Sequence, residues 1–322
     1  MKRTMGLILL SLLALSAAGC GGTTTGSSSP SSSAPPPTAA PAPEGWSHQE
    51  AGSRANLRGV AFLDGSLGWT VGEGGVILHT TDAGASWATQ SSGTTASLCA
   101  VALADADSGW IVGDGGTILH TVDGGASWNP QASATTADLK DVAFSSSSEG
   151  WAVGELGTIF HTTDAGTTWT SRPSGTSRGL WSVSFLDSDN GLIVGDAGGM
   201  YTSDGGTSWT ERPGPFNLRS GVAVDADHAW AVGIHGYIAA ITDGGAAWNA
   251  QESGTERMLQ GVDFADAEHG VVVGKNGTLL STSDGGTTWT AQSAGISLND
   301  VACTGPEQWW VVGDEGVILK RN

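Results

Sequence analysis

One motif recurs along this chain at intervals close to 41 residues. It reads Leu-x-x-Val-x-Phe, a polar turn, Trp-x-Val-Gly-x-x-Gly, an apolar run and an Asp-box, Thr-x-Asp-x-Gly-x-Ser/Thr-Trp. The glycine that follows the valine occurs seven times, at Gly72, Gly113, Gly154, Gly195, Gly233, Gly274 and Gly313. A period of this length, made of short alternating runs between Gly and Asp turns, is typical of small sheets repeated around a ring. The sequence therefore predicts an all-β fold, a seven-bladed β-propeller with four strands in each blade.

The two ends of the chain predict how the ring closes. The seventh repeat, residues 298–322, stops before its Asp-box. Trp46–Gly52 matches Trp87–Gly93 at an offset of 41 residues, so the N-terminal segment has the pattern of the missing outer strand. We expect this segment to complete the last blade, because closure in this way leaves no sheet with an open edge.

The repeat also predicts the strands and turns within a blade. In the first blade we expect strands over 57–62, 69–72, 76–80 and 87–91. The Gly-x-x-Gly segments predict tight turns that need a positive φ angle. In each Asp-box the aspartate is expected to accept hydrogen bonds from the N–H groups of its own turn, and the tryptophan to pack between blades. Because the Asp-box recurs around the ring, we interpret it as a structural element.

The first 44 residues differ in composition from the repeats. Lys2 and Arg3 precede an apolar run, Met5–Leu15, that is too short to span a bilayer as a helix. The run is followed by Ser16–Cys20, which has the pattern of a bacterial lipoprotein processing site; the alternative is an ordinary secretory signal with a coincidental cysteine. We predict a lipoprotein signal peptide over 1–19, a lipidated Cys20 with a disordered Ser/Thr/Pro/Ala linker over 20–44, and the propeller over 45–322.

These segments predict an exported protein that contacts the membrane only through its lipid anchor. Gly21 follows Cys20 in place of the aspartate that often marks inner-membrane retention, so the outer membrane and periplasm are favoured if the cell has two membranes. Without the two basic residues of the signal peptide the net charge is −21, which argues against nucleic acid and anionic lipid as partners of the body. Cys99 and Cys303 lie on the first strands of repeats that are not neighbours in a ring, so we expect two buried free thiols rather than a disulfide.

The residues available for catalysis are few. Asp-boxes occur in sialidases, whose site combines an arginine cluster, a tyrosine nucleophile with a carboxylate partner, and an acid. Only Tyr201 and Tyr237 are present, and Tyr201 occupies a repeat position that is histidine in three other blades, which predicts a packing role. Those histidines, one per blade, cannot converge on a metal ion; they are His79, His120 and His161. The Asp-x-Asp/Glu pairs of the first turns are interpreted as solvated turns rather than Ca²⁺ sites. We predict no enzyme activity, no catalytic residue, no metal and no cofactor.

The residues that break the repeat are charged. Six basic residues lie where the chain enters the innermost strand, on one face of the ring around the central channel: Arg54, Arg58, Lys140, Arg178, Arg219 and Arg257. A basic ring at one mouth of an acidic body would attract an acidic partner. The alternative is local pairing with the acidic residues of the Gly-x-x-Gly turns, which belong to the same face: Glu73, Asp114, Glu155, Asp196 and Asp314. Both interpretations remain open at this point.

These features together resemble the photosystem II stability/assembly factor family: Asp-box repeats joined to Trp-x-Val-Gly-x-x-Gly, seven blades, an exported N-terminus and arginines at one mouth. The resemblance covers residues 45–322. It implies a non-enzymatic propeller that, in phototrophs, binds newly made reaction-centre protein through a basic patch and assists its assembly. By repeat position, the residues that correspond to this patch are Arg58, Arg178, Arg219 and Arg257. The Ser/Pro linker and the acidity are departures from the family, typical of an envelope lipoprotein in a bacterium that need not be photosynthetic.

Three functions follow as hypotheses. The first is a non-catalytic, lipid-anchored, protein-binding propeller, a monomer that scaffolds or assists assembly of a membrane-protein partner by binding that protein or an acidic segment. The second is a carbohydrate-binding or degraded sialidase-like module, in which Trp181 at the start of an inner strand stacks on a sugar ring. The third is a purely structural module of the envelope.

Overall fold

The computed structural model describes residues 41–212, 217–242 and 247–322. The predicted signal peptide, Cys20 and the linker up to residue 40 lie outside these residues, so lipidation stays a prediction. Within the described ranges, no helix has the length and apolar character needed to cross a bilayer.

Seven antiparallel sheets of four strands form the fold, as the repeat predicted. Blade 1 contains β2 (Leu57–Phe62), β3 (Gly68–Gly72), β4 (Ile77–Thr80) and β5 (Ala88–Gln90). Blade 2 contains β6 (Leu98–Leu103), β7 (Gly109–Gly113), β8 (Thr117–Thr121) and β9 (Asn129–Pro130). Blade 3 contains β10 (Leu139–Phe144), β11 (Gly150–Gly154), β12 (Ile159–Thr162) and β13 (Thr170–Arg172). Blade 4 contains β14 (Leu180–Phe185), β15 (Gly191–Gly195), β16 (Gly198–Thr202) and β17 (Thr210–Arg212). Blade 5 contains β18 (Leu218–Ala223), β19 (Ala229–Gly233), β20 (Ile238–Thr242) and β21 (Ala247–Gln251). Blade 6 contains β22 (Leu259–Phe264), β23 (Gly270–Gly274), β24 (Thr278–Thr282) and β25 (Thr290–Ser293), and blade 7 contains β26 (Leu298–Gly305), β27 (Gln308–Gly313), β28 (Ile318–Arg321) and β1 (Trp46–Gln49).

The first strand of each blade lies innermost and contacts the first strands of the two neighbouring blades, from β2 round to β26 and back to β2. The ring is therefore closed around a central channel. The apolar core is divided among the interfaces between blades, since each buried cluster combines side chains of adjacent repeats. One such cluster joins Phe62 of blade 1 to Trp310 and Val312 of blade 7.

The N-terminal strand completes the last blade, which confirms the predicted closure. β1 pairs antiparallel with β28, with Trp46 opposite Arg321 and Gln49 opposite Ile318. The Trp46 side chain is buried in the cluster that also contains Trp309 and Leu319. The first and last segments of the ring are thus joined both by a ladder of backbone hydrogen bonds and by a shared apolar core.

The predicted strands of blade 1 agree with the structure to within one residue at each end. The Gly-x-x-Gly turns form one-turn 3₁₀ helices in six blades, at Glu73–Gly75, Asp114–Gly116, Glu155–Gly157, Ile234–Gly236, Lys275–Gly277 and Asp314–Gly316. The last glycine is required in this turn. Gly75 has a φ of +77°, and a Cβ there would lie 2.1 Å from the carbonyl oxygen of Thr94.

The Asp-box has the structural role that its sequence predicted. Asp82 Oδ1 accepts a hydrogen bond from the N–H of Ser86 at 2.8 Å, and Oδ2 accepts one from the Ser86 hydroxyl at 2.7 Å. These bonds lower the pKa of Asp82 to about 2. The tryptophan packs between blades, as at Trp128, whose Nε1 donates to Gln90 Oε1 of the preceding blade at 3.0 Å.

The two cysteines of the propeller are both buried. Cys303 is buried and free, as expected. Cys99 is also fully buried. The two cysteines are not bonded to each other, which agrees with their places on blades that do not touch.

Candidate functional site at the channel mouth

The second residue of each inner strand lies at one mouth of the channel. In blade 1, Leu57 pairs with Gly72 and Gly59 pairs with Val71, so the register shifts at Arg58. Arg58 therefore lies beside the 3₁₀ turn that follows Gly72. The equivalent residues of the seven blades are Arg58, Cys99, Lys140, Trp181, Arg219, Gln260 and Asn299. In five blades this residue contacts the first residue of its own turn, in the pairs Arg58–Glu73, Cys99–Asp114, Lys140–Glu155, Trp181–Asp196 and Asn299–Asp314. The repeat thus builds a ring of side chains at this mouth.

Two of the predicted arginines are held by carboxylates. Arg58 Nη2 forms an ion pair with Glu73 Oε1. Arg219 Nη1 lies 3.5 Å from Asp196 Oδ1, and desolvation by burial lowers the pKa of Arg219 from its ordinary value. For these residues the local-pairing interpretation is the one that the structure supports.

Lys140 is the most enclosed of the predicted basic residues, with a side chain only 4% exposed. Its Nζ lies 3.0 Å from Asp138 Oδ2, 3.4 Å from Glu155 Oε1 and 3.5 Å from Asp114 Oδ1. Burial raises the pKa of Asp114, and the charge of Lys140 opposes that rise. Because three carboxylates from two blades surround Lys140, the structure favours the local-pairing interpretation for this residue.

Trp181 is buried at the mouth rather than free to stack on a ligand. It is 8% exposed, and its Nε1 donates to Asp196 Oδ1 at 2.7 Å. The Arg219 guanidinium lies 4.3 Å from the centroid of the Trp181 ring, in cation–π geometry. The expectation that Trp181 stacks on a sugar is therefore not supported, because its ring already packs against Arg219.

The remaining predicted residues are exposed: Arg54, Arg178 and Arg257. Arg178 Nη1 donates to the backbone carbonyl of Asp196 at 3.4 Å, and Arg257 Nη1 donates to that of Asn276 at 3.0 Å. These contacts place both guanidinium groups beside turns of the mouth. Of the six basic residues that the sequence singled out, three are thus exposed, in the loops that lead into β2, β14 and β22.

One further basic residue lies at this mouth, outside the sequence positions first considered. The first residue of the turn is acidic in blades 1 to 4 and 7, but it is Ile234 in blade 5 and Lys275 in blade 6. Arg257 Nη1 donates to the carbonyl of Asn276, so its guanidinium lies beside the turn that begins with Lys275. The signal in the sequence was the loss of the acidic residue from two consecutive repeats. The turns of blades 5 and 6 therefore place no carboxylate at this position of the mouth.

Buried carboxylates line the inner edge of the sheets, which sequence reasoning missed. Asp300 is fully buried, and its Oδ2 accepts a hydrogen bond from the N–H of Val60 in the next blade at 2.8 Å. Asp141 and Asp263 make the same kind of bond to blades 4 and 7. An innermost strand is a sheet edge, so such bonds satisfy N–H groups that no strand pairs with. Desolvation raises the pKa of Asp141 and of Asp263 to about 7. The feature of the sequence that could have revealed these carboxylates is a charged residue within an otherwise apolar inner strand.

The candidate catalytic residues do not assemble into a site. The three histidines stack on the tryptophans of their own blades, as His120 does on Trp110 at 4.6 Å between ring centroids. Burial raises the pKa of Tyr201, whose hydroxyl has no hydrogen-bond partner within the described ranges. No group of three metal-ligating side chains occurs in the part of the chain that the structure describes.

The fold and the mouth define a class of protein: a closed seven-bladed Asp-box propeller with basic and acidic side chains together at one mouth of its channel. A family model described as photosynthesis system II assembly factor YCF48 matches residues 39–130, 86–174 and 245–322. The chain belongs to this family. No curated protein sequence matches it significantly.

Solved structures with the same fold include two YCF48 proteins. One, described as YCF48 bound to D1 peptide, is 20% identical, with a TM-score of 0.73 over 89% of this chain and 99% of that one. YCF48 from Cyanidioschyzon merolae is also 20% identical, with a TM-score of 0.72 over 86% of this chain and 98% of that one. A GH74 xyloglucanase from Xanthomonas campestris is 15% identical, with a TM-score of 0.68 over 86% of this chain and 53% of that one. At these identities the structural likeness concerns the fold alone.

Proposed function

We propose that this protein is a non-catalytic propeller that binds a segment of a membrane-protein partner at its channel mouth and assists assembly of that partner. The observation that carries the proposal is the match to the YCF48 family over most of the ring. The YCF48 structure that aligns with 89% of this chain is described as bound to D1 peptide, which supports our proposal that this protein binds a peptide segment.

The charge at the mouth supports an acidic segment as the ligand. Arg54, Arg178 and Arg257 are exposed there, on three different blades, and Lys275 is a further basic residue of the blade 6 turn. The protein as a whole is strongly acidic, with a net charge of −19. Exposed cations at one mouth of an acidic body attract an acidic partner to that face and away from the rest of the surface.

The carbohydrate-binding alternative relied on Trp181, whose ring is buried against Arg219 and is not available to stack on a sugar. The similarity to a GH74 xyloglucanase is at the level of the fold. Among the described residues, no carboxylate is hydrogen-bonded to either tyrosine.

Charge reversal at the exposed residues tests the proposal. In an Arg54→Glu/Arg178→Glu/Arg257→Glu variant we expect loss of partner capture from detergent-solubilised membranes of the source organism. The free energy of unfolding should change by no more than about 0.5 kcal/mol per site, because exposed substitutions rarely cost more. Capture by the wild type should also weaken as salt rises, since exposed charges are screened over about 8 Å at physiological ionic strength.

Lys140→Met is the matched control, because it removes a cation that is already paired within the protein. It should lower the free energy of unfolding and leave capture unchanged. The loss should be smaller than the roughly 3–5 kcal/mol of a broken, fully buried pair, because the three carboxylates keep partial contact with water. If the triple variant captures the same partners as the wild type, the mouth is not the binding site.

We further propose that lipid on Cys20 holds the protein in the envelope, with the outer membrane favoured where two membranes exist. The support is the sequence pattern of Ser16–Cys20 after an apolar run. Cys20→Ser should release the protein from the membrane fraction or block its processing, measured by fractionation and mass spectrometry of the mature N-terminus. Cys303→Ser, which removes a buried thiol of the propeller, should leave membrane association unchanged. Equal membrane association of the Cys20→Ser variant and the wild type would contradict lipidation.

A further inference from the structure

A glutamine amide joins neighbouring blades at the interfaces of blades 1 and 2, 2 and 3, and 5 and 6. In the first of these, Gln90 Oε1 accepts from Trp69 Nε1 of its own blade at 3.1 Å and from Trp128 Nε1 of the next blade at 3.0 Å. The Oε1 atoms of Gln131 and Gln251 also accept from the Asp-box tryptophan of the following blade, at 3.1 Å and 3.3 Å. An indole N–H can only donate, so the amide oxygen supplies the acceptor that these buried tryptophans need.

At the interface of blades 3 and 4 a donor stands in place of this acceptor. Arg172 pairs with Ile159, which is the register position that Gln90 has in blade 1. A guanidinium group has no atom that accepts a hydrogen bond. The two indole nitrogens of this interface, Trp151 Nε1 and Trp209 Nε1, are buried without a hydrogen-bond partner among the described residues, and so is Arg172 Nε. The interface therefore has buried donors and lacks the acceptor of the other interfaces.

The indole donors surround the place that an amide oxygen has elsewhere in the ring. A Cβ built on Gly125, in the Asp-box of blade 2, would lie 2.1 Å from Gln90 Oε1. At the equivalent Gly206 of blade 4, a Cβ would lie 2.7 Å from Trp151 Nε1 and 3.3 Å from Trp209 Cζ2. No other side chain comes nearer to that point than these two indole rings among the described residues. Both N–H groups are thus at one place, which the chain's own side chains do not fill.

Aromatic packing holds these donors in position. The Trp151 ring lies between His161 and Phe185, with ring centroids 4.8 Å and 3.5 Å away, and Phe185 also meets the edge of Trp209 at 6.0 Å. Arg172 Nη2 lies 3.1 Å from His161 Nδ1, which places the guanidinium beside the same cluster. A ligand that accepts from these groups would bind without a rearrangement of the interface, and such preorganisation favours binding.

Charge and enclosure define the ligand class. Arg172 is half-buried and forms no ion pair with a carboxylate of the described ranges, while the nearby Glu149 is held by His161 Nε2 at 3.2 Å. Buried N–H groups are nearly always hydrogen-bonded, and bonds to a charged acceptor are the stronger ones. Because the unpartnered nitrogens are closed to solvent, the acceptor must be small and must lose its own hydration, which costs least for a monovalent ion.

We propose that the interface of blades 3 and 4 binds a small monovalent inorganic anion of the size of chloride. The ion would accept from Trp151 Nε1, Trp209 Nε1 and the Arg172 guanidinium, and it would take the part that a glutamine oxygen has at other interfaces. Trp209 belongs to the Asp-box turn, at the end of the blade opposite the 3₁₀ turns of the channel mouth. The anion site is therefore separate from the surface of the proposed function.

Two other tryptophans have an unpartnered Nε1 among the described residues, Trp87 and Trp248, but neither interface has the same set of donors. Gln49 has the outer-strand position beside Trp87, opposite Ile318, so an acceptor is present in that side chain. Beside Trp248, Leu192 stands where the second indole would be. The combination of two indoles and an arginine is thus a feature of the interface of blades 3 and 4.

The melting temperature of the full-length protein in sodium chloride, compared with sodium gluconate at the same ionic strength, tests this proposal. Gluconate is too large to enter the interface. Because an ion that binds only the folded state stabilises it, we expect the wild type to melt about 2 °C or more higher in about 100 mM chloride than in gluconate. Arg172→Gln restores the acceptor of the other interfaces, so this variant should melt at the same temperature in both salts and above the wild type in gluconate. In bromide-soaked crystals of the wild type, anomalous scattering should place the ion between Trp151 Nε1 and Trp209 Nε1.

Two further variants make the result specific. Arg212→Gln is the same substitution at the equivalent position of blade 4, where the arginine is exposed, and it should keep the full response to chloride. Trp209→Phe keeps an aromatic ring but removes one donor, so it should need about tenfold or more chloride for the same rise in melting temperature, and it decides the outcome if Arg172→Gln does not fold. The proposal is overturned if the wild type does not respond to chloride, if Arg172→Gln or Trp209→Phe responds as the wild type does, or if bromide is not found at this interface. A water molecule would then be the acceptor for the two indoles.

Discussion

Deletion of Trp46–Gln49 should abolish the single cooperative unfolding transition of this protein and cause it to aggregate. These residues form β1, the outer strand of blade 7, and they join the start of the propeller to its end through pairing with β28. Without them the edge of β28 is unpaired, and an open edge of this kind is a template for association with other chains. Thermal unfolding by circular dichroism, together with size-exclusion chromatography, measures both effects.

The expected loss is large because one side chain carries much of it. Trp46 is buried among Trp309 and Leu319, and replacing a buried tryptophan by alanine typically costs about 3–5 kcal/mol. A Trp46→Ala variant, which keeps the strand backbone, should therefore unfold cooperatively at a lower temperature, between the wild type and the deletion. A deletion of four residues within the Ser/Thr linker is the length-matched control and should melt as the wild type does. A β1 deletion that melts like the wild type would show that closure of the ring contributes nothing to stability.

Replacing Asp141 and Asp263 by asparagine should change how stability depends on pH. In the folded protein desolvation raises the pKa of both carboxyl groups to about 7, against an ordinary value of 3.8. Between about pH 4 and pH 7 the folded state therefore holds protons that the unfolded state has released, so these two groups make the fold less stable as pH rises through that window. Each contributes a slope on the order of 1 kcal/mol per pH unit.

Other titrating groups act in and near the same window, so the comparison must be between variants. Burial lowers the pKa of His79, His120 and His161, which makes the fold more stable as pH rises below about 6.5. The Asp-box carboxylates have lowered pKa values, so they lose their contribution to stability only at lower pH, as Asp82 does towards about 2.

Urea denaturation at a series of pH values measures the free energy of unfolding as a function of pH. We expect its slope to be more positive for Asp141→Asn/Asp263→Asn than for the wild type. Parallel curves would mean that the two carboxyl groups are not protonated in the folded state. Asp64→Asn, at a solvated turn, is the control that should leave the slope between pH 5 and 7 unchanged, since the pKa of Asp64 is lowered.

The aspartates of the inner strands and the cations of the mouth have different roles, although both sets break the apolar repeat. Asp141, Asp263 and Asp300 satisfy N–H groups of neighbouring inner strands and are inaccessible to a partner. Lys140 is likewise enclosed by carboxylates. Departure from a repeat is thus a sign of a special position, but only exposure distinguishes a position that stabilises the ring from one that can bind another protein.

Much of this fold could be predicted from the sequence because its determinants are local and repeated. The period gives the number of blades, and the match of Trp46–Gly52 to Trp87–Gly93 gives the closure. Turn glycines such as Gly75 and capping aspartates such as Asp82 act within a few residues of their own position, so their chemistry can be recognised without knowing the rest of the structure. The strand bounds of blade 1 were correct to within one residue for the same reason.

Only the tertiary structure decided which of the predicted site residues are accessible. Lys140 is paired because Asp114 of the preceding blade reaches it, and Trp181 is covered because Arg219 of the following blade lies on its ring. These outcomes depend on side chains about 40 residues apart that the ring brings into contact, and neither repeat alone contains the geometry that determines whether they pair or stack.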